Sequence, residues 1–366
     1  MPQAESPTHS GQSTPTGIRT PSTITDANVS DFGDFDHSDS HWPLNEDSTP
    51  ATRCLDQINN LLGELSASDR FEVARNLIRS FRNENSRARP CLGSTKHTGH
   101  VGPITRFEMP TVTQDLFDRP TIAVALSGFA NPTTQDLMLR AITDNETSTS
   151  FELSLHSSRN SKLENISVDW IEIPSRHSGW QSGQWPLESQ LDYPVPFELN
   201  KMISFATPFP EVPKVVVFLS GIDIDRTKTI RFRIEASNIT TTGFNLTGGT
   251  LLDTLLHSFK ATWVAYDSTI KGVHSGRVNT MDLRSWAEPQ HVNMGYVTFP
   301  AGTFSKPPNV MIGLNHLGLG PYEQNVRCCV SNVNHLGMCW NADTWGKTVN
   351  YSLGFSYLAI EEEEEN

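Results

Sequence analysis

The chain has 366 residues, 36% of them hydrophobic and 19% charged, with 24 Gly and 23 Pro; this composition suits a turn-rich protein of two or three domains and argues against a helical bundle. No apolar run approaches the roughly 18 residues of a membrane span, and the polar, acidic stretch Met1 to Ser10 is unlike a secretory signal peptide, so a cytoplasmic protein without membrane insertion is expected. The net charge of −13 is concentrated at the two ends: residues 1–50 hold eight acidic residues against Arg19, and Glu361 to Glu365 add five more. The stretch between is nearly neutral and offers no basic footprint for nucleic acid.

In chain order, residues 1–52 form an acidic Ser/Thr/Pro-rich segment with few apolar anchors, expected to be disordered. Residues 53–86 follow as a predicted helical hairpin or oligomerisation segment. Leu55, Ile58, Leu62 and Leu65 fall at heptad spacing. Asp69 then stands as a cap for a second helix, with Glu72 in capping-box position. From about residue 87 the texture changes to short β-rich runs separated by Thr, Asn, Gly and Pro turns, the pattern of an all-β sandwich. Lys214 to Leu219 reads as a buried strand, and Ile230-Arg231-Phe232-Arg233-Ile234 alternates with period two.

This region is self-similar. Pro120, Pro213 and Pro308 each introduce an apolar strand and lie 93 and 95 residues apart. Trp170, Trp263 and Tyr357 sit on a closing strand, 93 and 94 apart, with Phe151, Phe244 and Met338 at matching offsets between. Three markers on one period predict three tandem β-domains, at 87–175, 176–268 and 269–361, before the acidic tail 362–366. A period near 93 is too long for a solenoid unit and suits one small sandwich each.

The second unit resembles an H-type lectin domain, the family of the snail agglutinin and the discoidin C-terminal domain. The residues that carry the resemblance are Ile203 to Phe209, Pro213 to Val217, Ile230 to Arg233, Ser237 to Phe244 and Thr262 to Ala265. The third unit is similar through Val297-Thr298-Phe299, Lys306 to Val310, Gln324 to Arg327 and Asp343-Thr344-Trp345, and the first is the most diverged. The resemblance implies a six-stranded antiparallel β-sandwich that trimerises and binds galactose-type sugars, often N-acetylgalactosamine, near subunit interfaces. It also implies that an acidic residue before the Phe-Ala strand, an Arg on a middle strand and a Trp-His pair in the following turn hold the sugar. A pyranose packs its C–H patch on an aromatic face, and its hydroxyls need a donor fork and a carboxylate acceptor.

Carried onto the third unit, Arg327 takes the Arg position and Trp345 the Trp position. Gly346 replaces the His, and counting back from Phe299 puts Glu288 at the acidic position. In the second unit Arg231 matches the Arg and Asp192 lies near the acidic position, but Leu251 or Leu252 falls where Trp and His are expected. In the first unit Met138 falls at the Arg position, with Arg140 close by, and Ser158 near the Trp. The third unit is therefore the expected sugar-binding unit. Taken singly, Arg327 also reads as an exposed strand arginine and Trp345 as a hairpin cap.

Other chemistry finds no support. Cys54, Cys91, Cys328, Cys329 and Cys339 are an odd, scattered set expected to be reduced thiols. Cys328 and Cys329 are adjacent on a strand and face opposite sides, so neither a metal site nor a shared disulfide is expected. A turn at Leu336-Gly337 would set Cys339 opposite Asn334, remote from Cys329. No nucleophile elbow, P-loop, zinc-protease motif or paired glycosidase carboxylates appear, so no catalysis and no cofactor are expected. Trp180, Trp185 and Trp286 are read as linker residues pinned against the sandwiches, with sugar stacking as the alternative.

The sequence thus predicts a non-catalytic lectin for galactose- or N-acetylgalactosamine-type glycans, with a sugar-incompetent protein-interaction scaffold as the alternative. Three linked units on one chain predict a single-chain pseudo-trimer, since fusion raises the effective concentration of each neighbour. One shallow site binds near millimolar, about −4 kcal/mol, so multivalency would come from further sites or from homo-oligomerisation through residues 53–86.

Overall fold

The computed structural model describes residues 90–111, 119–132, 136–158, 162–175, 179–187, 198–225 and 227–362. The expected disordered segment 1–52 and helical segment 53–86 lie outside the described residues, as do Asp192 and the end of the acidic tail. The described region is all-β apart from one 3₁₀ turn at Thr280–Asp282. None of its helices is long and apolar enough to cross a membrane.

Eighteen strands fall into three sets of six. The first set is β1 Cys91–His97, β2 Ile104–Pro110, β3 Thr121–Asn131, β4 Leu137–Asp144, β5 Ser150–Ser157 and β6 Glu164–Ile173. The second is β7 Trp180–Leu187, β8 Glu198–Ser204, β9 Lys214–Ile224, β10 Ile230–Ser237, β11 Gly243–Thr250 and β12 Leu256–Tyr266. The third is β13 Val273–Asn279, β14 Met294–Thr298, β15 Asn309–Leu319, β16 Gln324–Asn334, β17 Gly337–Thr344 and β18 Asn350–Ile360.

These sets do not form three self-contained sandwiches. They build three six-stranded antiparallel sheets, ordered β1-β6-β3-β16-β17-β14, β13-β18-β15-β10-β11-β8 and β2-β5-β4-β9-β12-β7. Each sheet takes the first, sixth and third strands of one set and the fourth, fifth and second of another. Set one joins set three, set three joins set two, and set two joins set one, so the pairing closes on itself. At every seam the last residues of a third strand bond the first residues of a fourth: Gly128 opposite Arg327, Gly221 opposite Arg140, His316 opposite Arg233. The expected six-stranded antiparallel architecture is present, and backbone ladders connect what the sequence suggested as separate domains.

The periodic markers now have physical roles. Trp170, Trp263 and Tyr357 are buried, each paired in register with a glycine of its set's first strand: Gly93, Gly183 and Gly276. A Cβ on any of these glycines would fall 2.3 to 2.7 Å from the ring opposite. Phe151, Phe244 and Met338 fill the sandwich interiors. Trp180 and Trp185 correct the linker assignment: both are buried strand residues of β7, Trp180 stacked on Tyr266 at 5.1 Å and Trp185 edge-on to Phe259 at 5.0 Å between centroids. Trp286 lies in a loop and is exposed rather than pinned. Gly337 pairs with Asn334, so the turn is His335-Leu336, and Cys339 lies opposite Ser331 instead of Asn334.

A second core lies where β3, β9 and β15 meet. It contains Ala123, Ala125, Val216, Phe218 and Met311, with Ile171, Val264 and Leu358 from the neighbouring strands. Ala125, Phe218 and Gly313 occupy equivalent positions on the three strands. A Cβ at Gly313 would lie 2.5 Å from Ala125 Cβ and 2.7 Å from Phe218 Cδ1. One phenylalanine fills the space that the alanine and the glycine leave open.

The first halves of β9 and β15 carry backbone groups that face this core rather than a neighbouring strand, and buried backbone groups need partners. Ser356 donates to the Val217 carbonyl at 2.7 Å, and the Ile312 N–H donates to Asp169 at 2.9 Å. The other Asp169 oxygen accepts from Ser127 at 3.1 Å. Burial pushes the Asp169 carboxyl up to about 7, and the hydrogen bonds from Ile312 and Ser127 oppose that rise. Below about pH 4 the folded and unfolded chains both hold this proton. Between there and about pH 7 only the folded chain does, so the group's contribution to stability falls as pH rises and levels off above. Asp169→Asn keeps the acceptor for Ile312 and offers an N–H to Ser127. The variant should melt higher than wild type at pH 8 and show a smaller advantage at pH 5, measured by thermal unfolding at both pH values.

Candidate functional site

The candidate residues of the third set gather where β16 and β17 meet β3. Arg327 pairs in register with Asp343 on one side and with Gly128 on the other. Its Nη2 lies 3.4 Å from Asp343 Oδ2. The guanidinium side chain is 58% exposed, the carboxylate only 10%. Asp343 Oδ1 accepts the Asn293 N–H at 3.0 Å, which tethers the approach to β14 beneath the arginine.

Two residues beyond Asp343 the chain leaves β17 in a turn. The Thr344 N–H bonds the His291 carbonyl at 2.8 Å, and His291 Nδ1 lies 3.1 Å from the Thr344 hydroxyl. Trp345 follows, 39% exposed, so its indole is not part of the interior. Its carbonyl accepts from Thr348 N–H at 3.3 Å and from Asn325 Nδ2 at 3.4 Å. Gly346 takes φ +66°, the left-handed region a glycine adopts without strain. Glu323 Oε2 closes the turn, accepting from the Lys347 N–H at 3.0 Å and from Asn325 Nδ2 at 3.2 Å.

Arg327, Trp345 and Gly346 therefore share one end of the β16–β17 pair. Glu288 takes a different place, in the loop before β14. Its N–H bonds Ser285 at 3.1 Å, and its charge acts on Arg284. Burial lowers the Arg284 pKa, and Glu288 offsets part of that change. The carboxylate that does meet Arg327 is Asp343.

Strand register also corrects the arginine equivalence. The residue of β16 equivalent to Arg231 is Asn325, and Arg327 corresponds to Arg233 and Arg140. These three arginines lie 93 and 94 residues apart, so the period that located the aromatic markers also locates them. Each sits in a cross-sheet row with different neighbours. Arg327 has Asp343. Arg233 donates to Glu198 at 2.8 Å, and that bond is the main cause raising its pKa. Arg140 donates to Ser258 at 3.0 Å and lies in register with His156. Desolvation, then the charges of Arg106 and Arg140, lower the His156 pKa.

In the second set Arg231 forms a 2.9 Å surface ion pair with Asp253. Leu251 and Leu252 beside it are exposed, and Leu252 takes φ +57°, the same left-handed turn that Gly346 makes in the third set. Sequence reading missed Asp343, Glu323, Asn325 and His291. Asp343 was within reach of it, since it stands two residues before Trp345 and strand alternation turns it to the face of Arg327. Among the described residues, no three of His, Cys, Asp or Glu are placed to hold a metal ion. Cys328 belongs to the interior and Cys329 is half-buried on the other face.

The sequence model of the H-type lectin domain matches residues 200–266 and 295–360. These two segments are similar to that domain. The chain is also similar to a protein of Fuscovulum blasticum described as "ATP synthase subunits region ORF 7", 34% identical over 87 residues, which cover 24% of this chain and 67% of that protein.

Exposure separates surface from structural tryptophans. Trp340 is buried in the core. Trp340→Ala should cost about 3–5 kcal/mol in chemical denaturation. Trp345→Ala should cost about 1 kcal/mol or less.

Proposed function

We propose that the protein is a non-catalytic lectin for galactose- or N-acetylgalactosamine-type glycans, and that its three strand sets are three H-type lectin units in a single-chain pseudo-trimer. The observation that carries the reading is the partly exposed Trp345 indole, two residues from the Arg327–Asp343 pair. An aromatic face for the C–H patch of a pyranose, a guanidinium donor and a carboxylate acceptor are the groups such a ligand requires. Arg327, Trp345 and the Gly346 turn form the principal site. Arg231 is a candidate in the second set, where two leucines stand in place of the indole, and Asp192 and Glu288 are supporting acidic candidates.

The family match over 200–266 and 295–360 supports this reading. So does the cyclic sheet pairing, which gives the first strand set the topology of the two that match. A protein-interaction scaffold is the competing reading. It is favoured by the exposed Met294, Tyr296 and Leu336 on the β14 side of the third set.

A glycan array of the full chain tests the two. The lectin reading expects galactose-type signal that Trp345→Ala removes and Arg327→Ala lowers at least tenfold, as loss of a charge-assisted hydrogen bond of about 1.5–3 kcal/mol implies. A blank array with a folded protein supports the scaffold and sinks the lectin.

A further inference from the structure

The third-set site has an unfilled requirement. The H-type resemblance expects a histidine after the tryptophan, and this chain has Gly346. A site that loses an imidazole loses a side-chain hydrogen bond to a ligand hydroxyl, unless another group supplies one.

The structure shows what occupies that space. A Cβ built on Gly346 would lie 2.3 Å from Glu323 Oε2, so no larger residue fits at position 346 while Glu323 holds its place. Glu323 is held there. Its Oε2 accepts the backbone N–H of Lys347 at 3.0 Å and the Asn325 side-chain amide at 3.2 Å. Both bonds use the same oxygen, which leaves Oε1 without a hydrogen-bond partner among the described residues. Asn325 is 3% exposed, and its Oδ1 is likewise unpartnered. Glu323 Oε1, on a partly exposed side chain, is therefore the acceptor at this turn that a ligand hydroxyl can reach, and a saccharide is rich in hydroxyl donors.

Resting on the lectin reading above, we propose that Glu323 is the specificity-determining acceptor of the third-set site: its carboxylate replaces the missing imidazole and takes a hydrogen bond from a ligand hydroxyl. The Gly346 substitution and Glu323 are then one coupled change, since the glycine makes room for the carboxylate. A carboxylate accepts and never donates, so this site selects neutral sugars with free hydroxyls and rejects sulfated or sialylated ones through like-charge repulsion.

The test is calorimetric titration of the full chain with N-acetylgalactosamine, galactose and a sulfated galactose, using wild type, Glu323→Ala, Glu323→Gln, Gly346→His and the Glu323→Ala/Gly346→His double variant. Circular dichroism confirms that each is folded. Glu323→Ala should weaken binding of the neutral sugars about tenfold. Glu323→Gln should improve the ratio of sulfated to neutral binding. Gly346→His alone should bind poorly, and the double variant should recover a large part of the loss, because the two side chains compete for one volume. Wild-type affinity in both Glu323 single variants, or additive losses in the double variant, overturns the proposal while a Trp345-dependent signal leaves the lectin reading standing. A wild-type chain that binds none of the sugars overturns both.

Discussion

The constraint on which this architecture depends is the unpaired sheet edge. Each strand set yields two three-stranded halves, and each half has one edge that must bond something. A half-sheet of three short strands buries too little to stand alone. The solution is cyclic: the third strand of each set lends the second half of its edge to the fourth strand of another set. Three such loans close the assembly without leaving a central edge open. Among the described strands, β1, β2, β7, β8, β13 and β14 are the outermost of their sheets.

Closure on one chain permits what a trimer of identical subunits forbids. Three identical subunits must present the same residue at each equivalent position. Here Ala125, Phe218 and Gly313 share one central volume, and Asp169, Thr262 and Ser356 share a second set of positions with three different polar solutions. Thr262 donates to Ser220 within its own set, Ser356 reaches the Val217 carbonyl of set two, and Asp169 takes the Ile312 N–H of set three. Large and small residues compensate one another around the core in a way only a covalently ordered assembly maintains. A buried carboxyl is tolerated because its neighbours donate to it and because burial lets it hold its proton to higher pH.

Much of this was legible in the sequence, for a physical reason. A residue packed under a close-approach glycine, like Trp170, Trp263 or Tyr357, has few substitutes, so its spacing survives and the period shows. The exchange of half-sheets was not legible, because a strand's alternation reports which face is buried and not which strand lies beside it. The site was partly legible. Trp345 and Gly346 were found through their turn, but the arginines were matched two residues out of register between sets. A two-residue slip preserves the inward–outward alternation, so pattern alone does not expose it. The spacing of Arg140, Arg233 and Arg327 does. Glu288 was placed by counting through a loop, and loop length carries no geometry. Asp343 and Glu323, which meet the arginine and the turn, became visible only with the strands paired.

The three rows around these arginines explain why one set is the better candidate for ligand recognition. A guanidinium available to a ligand must not already be spent on a strong partner. Arg233 is bonded at 2.8 Å to Glu198, an interaction that strengthens its hold on its proton. Arg140 is turned to the Ser258 hydroxyl across the seam and lies in register with His156. Arg327 keeps most of its side chain in solvent, and its contact with Asp343 is the long one, 3.4 Å. That looser pair leaves donors free on one side and a carboxylate oriented by Asn293 on the other. Of the three arginine rows, only this one has an exposed indole beside it among the described residues, and there a left-handed glycine admits a second carboxylate. Because the seams are held chiefly by backbone ladders, with Arg140 to Ser258 the side-chain bond that a row adds across one of them, the rows can differ in chemistry. The divergence of the three is what a covalently closed scaffold allows.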